Sequence, residues 1–331
     1  MMSPQPAASP SRRPLLKKVL GFFQPQAGDV PCLGLTFGRR ELWAVCAREG
    51  EGGVEAEWSE KFSLEGNLFS GEPSAQALLS LNSALGAVAK RVKGNFLEVQ
   101  VALPDPALSF EVFELEKIPG SGAPRREFLT WRFNQSRRPS DPPLAFTSQL
   151  LGEEEDKTLL WAAAVEQRWL DLLRQAFHSA GLQAAVIDMA LGYRFNFFHQ
   201  SFLEKKTGGA LVAFEPDYWS LAFWDKEIRP RFARSKWWEK EKFRPQGPSL
   251  ENVVLEIERT IRSYVYSGKS RNVETLFVSA PEDWLEPVLK ALNLRTEGRC
   301  VGLPGADQGG KSPEVTLEGM TPSSWAAAVR R

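Results

Sequence analysis

The chain has 331 residues, of which 43% are hydrophobic and 25% charged, and its 41 Lys and Arg balance 41 Asp and Glu. That length suits one large or two ordinary domains with real cores, and a net charge of zero gives no pointer to nucleic acid. No stretch reaches the roughly 18–20 apolar residues of a bilayer span. Residues 15–23 are broken by Lys17, Lys18 and Gly21 and precede no small-residue cleavage site, so no secretory signal is expected.

Residues 1–29 read as a separate tail. The Pro, Ser and Ala of 1–14 predict disorder. Residues 14–23 have the pattern of about two turns of basic amphipathic helix. The simpler reading is a loosely packed tail; the functional one is a weak contact of Lys17 and Lys18 with anionic lipid. Cys32, Cys46 and Cys300 are few and widely spaced, as buried packing residues of a reducing compartment would be, which predicts a cytoplasmic chain.

Folded sequence is expected from Val30. Residues 33–35, 42–47 and 55–62 predict three sequential strands, with Gly50, Gly52 and Gly53 marking a turn. Residues 74–92 carry Leu78, Leu81, Leu85, Val88 and Ala89 at helical spacing before Gly94. Residues 96–103 alternate as a strand that Pro104 and Pro106 end. Residues 104–157 differ in texture, with a strand at 108–115, a helix at 125–134, a Pro-rich loop at 137–143 and an acidic turn at 152–156. They are expected to form a small inserted subdomain, with the acidic run most simply a solvated turn.

Regular structure returns with a strand at 158–165, a helix at 166–180 stopped by Gly181, a strand at 183–188 and an aromatic-rich helix at 189–203. A linker at 205–209 leads to strands at 210–214, 218–223 and 227–233. A long amphipathic helix at 249–267, a strand at 273–279 and helices at 284–292 and 322–331 follow. Three meandering strands, a helix, a strand and a helix thus occur twice. The fold class predicted is α/β, with two duplicated lobes of mixed sheet flanked by helices, 30–205 and 206–331, the final helix returning to the first lobe.

Four local marks accompany that order: Gly34-Leu35-Thr36-Phe37-Gly38 in the first hairpin, Ala180-Gly181-Leu182 leading into Val186-Ile187-Asp188, Ile257 to Tyr264 in the long helix, and Ser324 to Val329 near the end. With these marks the sequence resembles the PilM-like proteins, the cytoplasmic actin-like members of type IV pilus assembly, and more weakly the cytoplasmic part of the type II secretion protein GspL. The resemblance implies an actin-like ATPase fold at the inner face of the cytoplasmic membrane. It also implies a partner, the short N-terminal tail of a PilN-like membrane protein.

The same resemblance places the nucleotide contacts, and there the sequence departs from it. Phosphate turns need close backbone N–H groups, and magnesium needs carboxylates. The family's first Asp corresponds to Thr36; its Ser/Thr positions beyond Gly38 hold Arg39 and Arg40; its Lys position holds Trp43. In the second hairpin the Asp position is Ala213, the Gly position is Glu215, and Pro216 removes a backbone N–H. At the adenosine turn Ala280 and Pro281 stand where Gly-Gly is expected. The expectation is a degenerate cleft with no catalytic residues, no metal and no ATP or magnesium, closed by an Arg39 or Arg40 pair with Glu215. Alternatives are a drifted but working ATP site, or an anion held by the two arginines.

His178 and His199 have no Cys or Asp at ligand spacing, so neither a zinc site nor a catalytic triad is expected. Residues 229–244 hold seven basic and two acidic residues among aromatics, including Arg231, Arg234, Lys236, Lys240 and Lys242. That pattern suits an anionic membrane face or single-stranded nucleic acid, but also an edge strand running into a loop; nucleic acid is not expected. The partner tail is expected between the inserted subdomain and the first lobe, because Phe128, Leu129, Trp131 and Phe133 cannot share one buried helix face.

Overall fold

A computed structural model describes residues 31–50, 53–69, 71–72, 74–92, 98–154, 156–205, 208–238, 247–267, 273–296, 300–303, 323 and 326–327. The expected tail, Lys240, Lys242 and most of the expected last helix lie outside them. Among the described residues no helix is long and apolar enough to cross a membrane.

The first lobe opens with β1 (Cys32–Phe37), β2 (Glu41–Gly50), β3 (Gly53–Ser63), α1 (Ala75–Val92) and β4 (Glu98–Leu103). After an insertion it resumes with α3 (Gln167–Ser179), β8 (Ala184–Met189), α4 (Ala190–Phe197) and α5 (His199–Lys205). The second lobe holds β9 (Gly209–Phe214), β10 (Tyr218–Trp224), β11 (Pro230–Trp237), α6 (Pro248–Tyr266), β12 (Thr275–Ser279), α7 (Glu282–Asn293) and β13 (Cys300–Gly302). The first sheet runs β3-β2-β1-β4-β8 and the second β11-β10-β9-β12-β13. In each, three antiparallel strands are followed by two parallel ones, so the two sheets share one topology.

The period-2 pattern of the central strands explains the layering. Ala210, Val212, Phe214, Trp219, Leu221 and Phe223 pack with α6 and α7. The alternate residues Leu211, Ala213, Ala222 and Trp224 face α4 and α5, where Phe198 and Phe202 join the lobes. Strands β9 and β10 are buried along their whole length, as central strands covered on both sides must be. In the first lobe Leu33, Leu35 and Phe37 meet α1 and α3. The opposite face carries small residues: Ala102 packs with Ala190, Ala326 and Ala327, which brings helix backbone close to the sheet.

The insertion is a three-stranded sheet, β5-β7-β6, with β5 at Leu108–Leu115, β6 at Leu144–Glu154 and β7 at Lys157–Glu166, carrying α2 (Ala123–Asn134). It therefore extends to Glu166, beyond the expected limit at 157. The apolar run 158–165 reads as a return to the lobe, but β7 is the middle strand of the small sheet, flanked on both edges. Strands β6 and β13 have no counterpart among the expected elements, and the helix expected at 189–203 breaks at Phe198. Gly181 does end α3 in the left-handed region, with Leu182 N–H donating to Phe177 O at 2.9 Å.

Candidate functional site: the interlobe cleft and the groove beside it

The two hairpin turns meet across the cleft. Gly38 has no side chain to separate them: a Cβ there would lie 2.8 Å from Asp217 Oδ2 and 2.9 Å from the Trp43 ring. The Arg39 N–H donates to Asp217 Oδ2 at 2.5 Å. The Arg39 guanidinium lies over the Trp237 ring, 4.8 Å from its centroid, and Arg40 is exposed. Burial pushes the Asp217 carboxyl up to about 6, opposed by the Arg39 N–H bond and reinforced by the nearby Glu215 charge.

Neither hairpin arginine pairs with Glu215 among the described contacts. That partner is Arg194, on α4, whose side chain is fully buried. Its guanidinium also donates to Phe214 O at 3.0 Å, Ser279 O at 3.3 Å and Ser279 Oγ at 3.2 Å, while Nε donates to Ser323 Oγ at 2.8 Å. The Ser323 hydroxyl in turn donates to Glu215. One side chain from the first lobe thus ties together the ends of β9 and β12, the very turns at which phosphate and adenosine contacts were expected. The expected Arg39 or Arg40 pair is corrected accordingly. A lone arginine in the apolar run Ala190-Leu191-Gly192-Tyr193-Arg194-Phe195 was the available signal, since arginine is almost never fully buried unless paired.

The remaining cleft residues offer little to a triphosphate. Thr36 is fully buried, and its Oγ1 has no hydrogen-bond partner among the described residues. Ala213 and Ala280 are core residues. Pro216 O accepts the Trp238 indole N–H at 2.9 Å, and Pro281 O accepts the Trp284 and Leu285 N–H groups of α7 at 2.9 and 3.1 Å. No group of three or more His, Cys, Asp or Glu among the described residues is placed to hold a metal ion.

No protein-family model matches the chain, and no curated protein does. Solved structures do. A PilM–PilN type IV pilus biogenesis complex aligns over 92% of this chain and 98% of that one, with a TM-score of 0.66 at 14% identity. A Bacteroides thetaiotaomicron protein with an actin-like ATPase fold and unknown function aligns over 83% and 91%, with a TM-score of 0.53 at 8% identity. This chain has the actin-like fold. The cytoplasmic domain of Vibrio cholerae EpsL, from a type II secretion system, reaches a TM-score of 0.45 at 11% identity over 76% and 82%, too low to add to that assignment.

Within this actin-like fold a groove of about 670 Å³ lies between the insertion and the first lobe. Its walls include Ala145 and Thr147 of β6, Ala185 and Ile187 of β8, and Phe177 and His178 of α3. Among the described residues both β6 and β8 are edge strands of their sheets, so two strand edges flank one apolar channel. The three aromatics of α2 and Leu129 are placed elsewhere. Leu129 is buried against Phe113, Leu160 and Ala162, so it is a core anchor and not a contact residue. Phe128 and Phe133 pack half-buried on the same cluster. Trp131 alone is largely open, 60% exposed.

The basic strand and the acidic turn, read separately as surface features, pair with each other. Arg231 bonds Asp225 at 2.8 Å and also Glu154 of the insertion. Arg229 Nη1 donates to Glu153 O at 3.2 Å. Arg234 and Lys236 both engage Glu256 of α6, at 2.9 Å. The basic surface expected from Arg231, Arg234 and Lys236 is therefore largely neutralised by its own fold, and the acidic turn is not simply solvated.

Proposed function

We propose that the chain is a cytoplasmic scaffold of a type IV pilus or related secretion platform, without ATPase activity, that holds the N-terminal tail of a PilN-like membrane protein. The observation that carries this reading is the place of Arg194. An actin-like ATPase closes its lobes on nucleotide and magnesium; here a guanidinium of the chain itself bridges the two turns, with Glu215 as its counter-charge. A Mg-triphosphate does not suit these residues: its oxygens would meet the Glu215 carboxylate, and Pro216 contributes no backbone N–H to the turn. The likeness to a PilM–PilN complex supports the class of partner.

The tail would enter the groove between β6 and β8 as an extended peptide, adding a strand to an open edge while the apolar channel takes alternate side chains. Thr147 and Ala185 line the groove with exposed side chains, so Thr147→Arg and Ala185→Arg fill it without touching the core. The test is titration of each variant with a synthetic N-terminal tail of the PilN-like protein from the same genome. Saturable binding by the parent chain and a loss of tenfold or more in both variants supports the site. Undiminished binding by folded variants rejects it, and no binding by the parent chain rejects the partner.

A further inference from the structure

Asp105 follows β4 in the first lobe and is 1% exposed. Its Oδ2 accepts the hydroxyl of Ser220 on β10 of the second lobe at 2.6 Å, and its Oδ1 accepts the Leu191 N–H of α4 at 2.9 Å. This carboxyl therefore ties strands of both lobes to the helix between them. Among the described residues no cation touches it. Arg194 is near enough to favour its charge but is engaged with Glu215, Ser279 and Ser323. Glu215 opposes that charge, and the Tyr218 phenol beside it stays neutral, held well above its usual range by burial. The charged residues of the neighbouring β11 face other partners: Arg231 with Asp225 and Glu154, Arg234 and Lys236 with Glu256. The buried boundary thus holds three carboxyls, Asp105, Glu215 and Asp217, against one fully buried guanidinium.

We infer that Asp105 is a proton-dependent latch between the lobes: protonated, it sits in the closed boundary without an uncompensated charge; ionised, it favours opening and hydration. Burial pushes its carboxyl up to about 7 in the closed form, against about 3.8 when free. Between those values the open form releases a proton that the closed form keeps. Opening then becomes easier by about tenfold per pH unit up to about pH 7, and no easier above it.

Hydrogen exchange of the β10 amides, corrected for intrinsic rates, reads this opening between pH 5 and 8. The background is Asp217→Asn, which removes the other raised carboxyl. The expected result is an opening constant rising about tenfold per pH unit to pH 7, then flat. Adding Asp105→Asn should abolish the slope; an unchanged slope overturns the latch. Should that double variant not fold, Ser220→Ala in the same background decides. Losing a hydroxyl that favours the carboxylate should move the plateau to higher pH, and an unmoved plateau overturns the proposal.

Discussion

Arg194 and Glu215 form an ion pair across the lobe boundary with only 1% and 2% of their side chains exposed. Desolvating two charges costs several kcal/mol each, so such a pair is held only where further hydrogen bonds complete it. Ser279, Ser323 and Phe214 O supply them to Arg194 and to Glu215 Oε1, while Glu215 Oε2 has no hydrogen-bond partner among the described residues. The cleft is thereby built as a polar joint.

Removing one partner leaves a buried charge without compensation. Arg194→Met or Glu215→Leu should each lower stability by roughly 3–5 kcal/mol, and the double variant by much less than the sum. Urea unfolding of the four chains measures this cycle. Additive losses would show that the two residues are not coupled.

The proposed lack of a nucleotide site is equally measurable. Charge-assisted contacts are worth roughly 1.5–3 kcal/mol each, and losing several moves a micromolar site beyond the millimolar range. Titration calorimetry with Mg-ATP should show no saturation up to the millimolar range. A micromolar dissociation constant would restore the drifted-ATPase alternative.

The duplication was legible because hairpins of Gly, Pro and polar turn residues punctuate apolar runs of period two and helices of period 3.6. That Thr36, Glu215 and Pro216 stand at the two hairpins was also legible, since each is a residue type at a specified place in the sequence. The partners of Arg194, Asp105, Ser220 and Ser323 were not. They lie 20 to 129 residues away; the apolar run around Arg194 signals a buried, paired arginine, but nothing local says which residue it pairs with. The small sheet misled for a related reason: β7 is a near-continuous apolar run, as any buried central strand can be, and only pairing with β5 and β6 reveals which sheet it joins. Glu154 and Arg231 each look like solvated surface until the fold brings them together.

The Asp217 carboxyl titrates near 6 when folded, against 3.8 in its ordinary state. A raised acid contributes stability that is complete below the unfolded value and lost as pH rises through the folded one. Asparagine keeps an acceptor for the Arg39 N–H without the charge. Asp217→Asn should therefore stabilise the chain at pH 8 by roughly 2–3 kcal/mol and have little effect at pH 4. Denaturation midpoints at the two pH values check it; an equal effect at both would mean that the charge is not what matters.

Gly38 tests how closely the two hairpin turns must approach. Its backbone is not in the left-handed region, so alanine is not excluded by conformation. It is excluded by space, because the methyl group would lie 2.8 Å from Asp217 Oδ2 and 2.9 Å from a buried Trp43 ring carbon. Neither neighbour can give way freely: Trp43 is 3% exposed, and Asp217 holds the Arg39 N–H. Gly38→Ala should cost about 1–3 kcal/mol, as overpacking does. It should also raise hydrogen exchange at Arg39, whose N–H would lose its acceptor. A destabilised variant with unchanged Arg39 protection would mean that Trp43 alone absorbs the methyl group and that the turn-to-turn contact survives.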